Sequence, residues 1–128
     1  MIVDSSALVA IVFEEPGCER LIDAIREPAA RGIPAPIVVE AGIVISARVG
    51  RDASGLLARL LTELDIAVIP FGNEHAREAV AAWNRYGKGR HRAALNFGDC
   101  ISYAVAKLAR APLLCTGRDF ARTDLTLA

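Results

Sequence analysis

Short apolar runs alternate with longer helical patterns along the whole chain, and few folds accommodate that alternation. Ile2-Val3 leads into an apolar run from Ala7 to Phe13, with Ser5 or Ser6 placed to cap it and Glu14-Glu15-Pro16-Gly17 to end it. Cys18 to Arg26 follows at helical spacing, with Leu21, Ile22 and Ile25 on one face and Pro28 beyond. Ile33-Pro34-Ala35-Pro36 reads as extended, because each proline disfavours helix in the residue before it. Pro36 then opens a helix from Ile37 to Val49, where proline is tolerated. After the turn Gly50-Arg51-Asp52, a leucine-rich helix spans Ser54 to Leu64, and Ile66 to Ile69 forms the clearest strand, stopped by Pro70. Asn73 caps a helix from Glu74 to Tyr86 with Ala76, Ala79, Val80 and Trp83 as its inner stripe. A last helix follows Asn96, then the apolar Leu113-Leu114-Cys115, and Leu125 to Leu127 as an edge strand.

Strands that alternate with helices and are themselves continuous apolar runs belong to a parallel sheet covered on both faces. The expectation is a single α/β domain over residues 1–128: three layers, α/β/α, around a mostly parallel sheet of four or five strands. With 128 residues, of which 53% are apolar and 5% aromatic, the core is built from Val, Ile, Leu and Ala. Acidic and basic residues balance at 15 each, which excludes a surface basic all over but not a local basic patch. Cys18, Cys100 and Cys115 form no CxxC pair and read as small reduced core residues. Met1-Ile2-Val3 runs into Asp4 without a basic leader, and no apolar run approaches a membrane span, so a soluble, cytoplasmic protein is expected.

In an open parallel sheet, ligands bind at the carboxyl ends of the strands, where helices begin. Four acidic residues fall there. Asp4 ends the first strand, and Glu40 lies in the first turns of the helix after the second. Asp99 stands in the first turn of the run that carries Ile101, Ala104, Val105 and Leu108 on one face, with Asn96 and Gly98 as turn and cap residues. Asp119 follows the Leu113-Leu114-Cys115 strand. Glu40 is the oddest of them, since it shares a helical face with Ile43, Val44 and Ala47, and an unpaired buried charge is expensive. The helix dipole should keep Asp99 ionised. Two carboxylates about 4 Å apart at an effective dielectric of about 20 repel by about 4 kcal/mol, so such a cluster needs protons or a cation. Oxygen ligands without histidine favour Mg²⁺ or Mn²⁺ over zinc and suit metal-assisted phosphoryl chemistry. Ser6 and Thr116 add hydroxyls at the same edge.

Between Tyr86 and Arg92 lies a glycine-broken basic segment. Lys88, Arg90, His91 and Arg92, beside Arg85 and Tyr86, suit phosphate contacts and base stacking. Its glycines do not make a P-loop, and His75 and His91 have no companion at zinc-ligand spacing.

Taken in order, Met1-Ile2-Val3-Asp4-Ser5-Ser6-Ala7-Leu8, Glu40 in an apolar helix, Asn96-Phe97-Gly98-Asp99-Cys100 and Thr116-Gly117-Arg118-Asp119-Phe120 resemble the PIN domain of VapC-type toxins from bacterial toxin–antitoxin pairs. The resemblance implies a Mg²⁺- or Mn²⁺-dependent endoribonuclease that cuts particular RNAs to inhibit translation. It also implies a homodimer, and a VapB-type antitoxin lying across the acidic cleft. Carried over by position, Asp4, Glu40 and Asp99 are the core metal ligands and Asp119 the fourth. Asp124 is a rival for that place, and Ser6, Asn96 and Thr116 act in support. Apolar grooves around Ala7 to Phe13 or Ile37 to Val49 are the expected antitoxin seats.

Two other classes fit the residues less well. A haloacid-dehalogenase-like phosphatase needs a second Asp two residues after the first, and Ser6 stands there. A non-catalytic RNA- or protein-binding module on the same fold should have lost one of the core acids, and all three are present.

Overall fold

A computed structural model describes residues 1–128. Four strands, β1 (Ile2–Val3), β2 (Gly32–Pro34), β3 (Ala67–Ile69) and β4 (Leu113–Leu114), form one sheet in the order β3-β2-β1-β4. Every pairing in it is parallel, with Ile2 opposite both Gly32 and Leu113. Parallel neighbours need crossover connections, and helices supply them: α1 (Ser5–Val12) and α2 (Cys18–Arg26) between β1 and β2, α3 (Ala35–Val49) and α4 (Ser54–Glu63) between β2 and β3, α5 (Asn73–Tyr86) and α6 (Phe97–Ala109) between β3 and β4. A 3₁₀ turn, Phe120–Arg122, follows β4.

Successive strand residues point to opposite faces of a sheet, and β1 and its neighbour β4 use this to serve two cores. Val3 and Leu114 join Leu8, Ile25, Ile33, Ile37, Ile45 and Leu57 on one side. Ile2 and Leu113 join Ala82, Leu95, Tyr103, Val105 and Phe120 on the other. Helix α6 feeds both, with Ile101 in the first core and Tyr103 and Val105 in the second. This explains why eight of its residues, from Gly98 to Ala106 with Asp99 excepted, are buried.

Several expected details shift. Asp4 itself caps α1 through its side chain, so that helix begins at Ser5 rather than after a serine cap. The second strand stops at Pro34, which stands in extended conformation before α3, and Pro36 lies within that helix's first turn. Gly72, not Asn73, occupies the cap of α5, its N–H donating to His75 Nδ1 at 3.0 Å. The inner stripe of α5 is also different. Ala82 is buried in the second core and Ala79 partly so, whereas Ala76, Val80 and Trp83 are exposed, the last two at 62% and 41%. On α6, Leu108 is exposed while Cys100 and Tyr103 are buried, and Gly98 is a buried helical residue rather than a cap. Leu125 to Leu127 contributes only an isolated parallel bridge from Leu127 to Leu113, leaving four strands. Cys18 and Cys100 are buried, Cys115 partly so, and none is paired.

Candidate active site

Two of the four acidic positions, Asp4 and Asp99, follow from how helix N-termini are capped. Asp4 leaves β1 in extended conformation and caps α1: its Oδ2 accepts the Ser6 N–H at 3.0 Å and the Ser6 hydroxyl at 2.6 Å. Its Oδ1 accepts the Ser102 hydroxyl at 2.6 Å, and the residue is 3% exposed. Asp99 forms a reciprocal cap with Asn96. The Asn96 N–H donates to Asp99 Oδ2 at 2.8 Å, and the Asp99 N–H donates to Asn96 Oδ1 at 2.9 Å. Glu40, one turn into α3, accepts the Ser5 hydroxyl at 2.7 Å. Its carboxylate lies against Gly98 so closely that a Cβ there would overlap Oε1 and stand 2.8 Å from Oε2. Asp119 is exposed just before the 3₁₀ turn.

Electrostatics tie the four together. Burial pushes the Asp99 carboxyl up to about 6, the charges of Asp4, Asp119 and Glu40 push the same way, and the Asn96 N–H opposes them. Contrary to the expectation from sequence, the helix dipole does not hold the Asp99 carboxyl low; burial and like charge outweigh it. Cys115, at the end of β4, is pushed up to about 12 by burial and by Asp4, Asp99 and Asp119. Its thiol is thus a bystander in an acidic field, not a thiolate nucleophile.

The donor set fits a hard divalent cation. It is all oxygen, it carries uncompensated like charge, and no lysine or arginine pairs with any of the four acids. The carboxylates are nevertheless spread apart: no three His, Cys, Asp or Glu side chains are grouped as tightly as a ligand shell. Hydroxyls hold them in that spread state, Ser6 and Ser102 on Asp4 and Ser5 on Glu40. The Ser6 hydroxyl also accepts the Thr116 N–H at 3.1 Å, tying the end of β4 to the start of α1. A cleft of about 230 Å³ opens beside them, lined by Ser5, Ser6, Glu40, Arg48 and Thr116 among others.

Asp124 stands apart. It accepts the Tyr103 hydroxyl and the Lys107 ammonium, each at 2.6 Å, and these bonds, Lys107 first, hold its carboxyl down at about 2. Glu40's apolar face is also not what it seemed, since Ile43 is 64% exposed and Ala47 is exposed too, while Ile37, Ala41 and Ile45 form the inner stripe. Glu40 thus sits on the rim of a cleft and not in a core.

The basic segment is folded rather than loose. Lys88 N–H donates to the Leu95 carbonyl, Leu95 N–H to Tyr86, and Arg90 and His91 N–H both to Gly87. Arg90 stacks its guanidinium 4.3 Å from the Trp83 ring, and the Arg92 carbonyl accepts Arg122 Nη1. His91 is spent on the Ala93 N–H and on an edge contact with Tyr86. Tyr86 is half-buried and packs against Tyr103. No ion pair or hydrogen bond joins Lys88, Arg90, His91 or Arg92 to the four acids.

Ser102 and the tight approach of Gly98 were not singled out from sequence, and Ser5 only as a candidate helix cap. Ser102 left one trace, a hydroxyl three residues after Asp99 in an otherwise apolar run.

The PIN domain family model matches residues 1–125. Ribonuclease VapC36 of Mycobacterium tuberculosis is 48% identical over 126 residues, covering 98% of this chain and 91% of its own length. Ribonuclease VapC of Mycolicibacterium smegmatis is 42% identical, covering 98% and 97%. Among solved structures, Mycobacterium tuberculosis VapC20, described as a sarcin–ricin loop cleaving toxin, superposes with a TM-score of 0.79 at 17% identity, covering 99% of this chain and 97% of that one. A toxin–antitoxin complex from Klebsiella pneumoniae gives 0.73 at 19%, covering 99% and 95%. With the family model matched almost end to end and ribonucleases at such identity, the chain belongs to the PIN domain family, within its VapC ribonucleases.

Proposed function

We propose that this VapC ribonuclease is a Mg²⁺- or Mn²⁺-dependent endoribonuclease, the toxin of a VapBC-type pair, in which Asp4, Glu40, Asp99 and Asp119 form the reactive centre. The observation that carries the reading is geometric: helix α6, which bears Asp99, also abuts the Glu40 carboxylate at Gly98 and bonds Asp4 through Ser102, so three acids meet at one sheet edge. A bound divalent cation would compensate that charge, polarise a phosphodiester and favour ionisation of a water. Asp4, Glu40 and Asp99 would hold it, with Asp119 and the hydroxyls of Ser6 and Thr116 alongside. The chain's own contribution is orientation: Asn96 fixes one oxygen of Asp99, Ser6 and Ser102 fix both oxygens of Asp4, and Ser5 fixes one of Glu40. Asp124 is supported as a structural acid rather than the fourth ligand, since both its oxygens are engaged by Tyr103 and Lys107.

Lys88, Arg90 and Arg92, exposed on an ordered segment that leads into α6, are the proposed contacts to RNA phosphates, with His91 holding their loop. An antitoxin would dock on α3, where Val39 and Ile43 are exposed at 61% and 64% beside Glu40. The α1 alternative is weaker, because Ala7, Leu8, Val9 and Ala10 are buried. A homodimer and a cytoplasmic location complete the proposal; no helix is long and apolar enough to cross a membrane.

The test is cleavage of a mixed RNA pool with Mg²⁺, with Mn²⁺ and with chelator, beside Asp4→Asn and Asp99→Asn. Cutting that needs metal and vanishes in both variants is the expected result. Cutting that persists in chelator, or in both variants, defeats the assignment.

A further inference from the structure

Helix α6 carries one of the candidate ligands, Asp99, but it touches two more. On the turn beside Asp99, Gly98 is buried and faces the Glu40 carboxylate, with no room for a side chain between them. Three residues beyond Asp99, the fully buried Ser102 donates its hydroxyl to Asp4 Oδ1 at 2.6 Å, across 98 residues of sequence. A hydroxyl on a buried helical face must find an acceptor, and the only one it is given is that carboxylate.

We infer that Gly98 and Ser102 are positioning residues, through which α6 sets the Glu40 and Asp4 carboxylates relative to Asp99: Ser102 by a hydrogen bond, Gly98 by leaving space. This rests on the metal-centre reading above and deepens it. The two act by different means, so they fail differently. Ser102→Ala removes a bond and leaves Asp4 held only by Ser6. Gly98→Ala adds a carbon whose nearest neighbours are the ends of the flexible Glu40 side chain, not backbone. The cheapest relief is rotation of Glu40 away from the cleft, and alanine otherwise suits a helix better than glycine.

The experiment is Mn²⁺ titration by calorimetry on wild type, Ser102→Ala, Gly98→Ala, Glu40→Gln, Asp4→Asn and the pairs Gly98→Ala/Glu40→Gln and Ser102→Ala/Asp4→Asn, with melting temperatures in chelator. Each positioning variant is expected to weaken Mn²⁺ affinity by about 10- to 100-fold. Gly98→Ala should do so with an unchanged or higher melting temperature. In each pair, the acid's substitution should cost less than it does alone, because the carboxylate was already displaced. Wild-type affinity in either single variant overturns that residue's assignment, as does full additivity in its pair. Unfolding of Gly98→Ala would make Gly98 a packing residue and overturn the clearance argument. If the wild-type chain takes up no Mn²⁺, the metal-centre reading itself falls, and the inference with it.

Discussion

Asp99 and Asp124 are both carboxylates on or beside α6, yet their surroundings push them in opposite directions. Asp99 has its folded value raised to about 6 by burial and by three acidic neighbours. The fold therefore disfavours its charged form, and stability from this group is complete below about 3.8 and is lost as pH rises toward and beyond 6. Asp99→Asn keeps an acceptor for the Asn96 N–H and removes the charge. In chelator at pH 7.5 it should raise stability by on the order of 2 kcal/mol, read as a higher melting temperature; a lower one would contradict the charge cluster. Asp124 is the reverse case, lowered to about 2 by the Lys107 bond and then by Tyr103. Its contribution is present above about 3.8 and is lost as pH falls through about 2. Its side chain is 39% exposed, so screening limits Asp124→Asn to a loss of about 1 kcal/mol at pH 7. Mn²⁺ affinity should not change; a variant that lost the metal with its melting temperature intact would restore Asp124 as the fourth ligand.

At the scale of elements, what could be read in advance depended on who supplies the contacts. Strand ends, caps and the acids placed on them are local: Asn96 with Asp99 is visible in three residues of sequence. Which stripe of α5 or α3 turns inward is not local. On α5 it is Ala82 that turns fully inward while Val80 and Trp83 stay exposed, and spacing alone ranks the larger residues as the core. The approach of Gly98 to Glu40 and the bond from Ser102 to Asp4 join residues far apart in the chain, so nothing short of the fold reveals them. The basic segment allows a prediction at this scale. Its three cations form no ion pair, so replacing Lys88, Arg90 and Arg92 by Ala should leave Mn²⁺ affinity unchanged. RNA binding, measured with the Asp99→Asn background in chelator, should weaken, and the slope of log affinity against log salt should fall by about 2. An unaltered slope would remove this segment from the RNA path.

Across the whole molecule, apolar surface is distributed unevenly. Val39 and Ile43 on α3 and Val80, Trp83 and Phe97 on α5 and α6 are exposed, Phe97 at 83%. Surface of this kind is uncommon on a protein that works alone. Ile43→Lys should change stability by less than about 0.5 kcal/mol and leave metal affinity intact, while weakening the complex with a cognate antitoxin in a binding titration; undiminished binding would move the docking face elsewhere.

The inner strand β1 is only two residues long, sends Ile2 to one core and Val3 to the other, and is followed at once by Asp4. A pairing error of a single residue would exchange the two side chains between cores and carry the carboxylate out of reach of Ser102. Under the proposed reading, the same event that completes the hydrophobic interior also arms the molecule. A chain paired out of register would lack the assembled acidic cluster, and under that reading the capacity to cut would appear only with correct assembly.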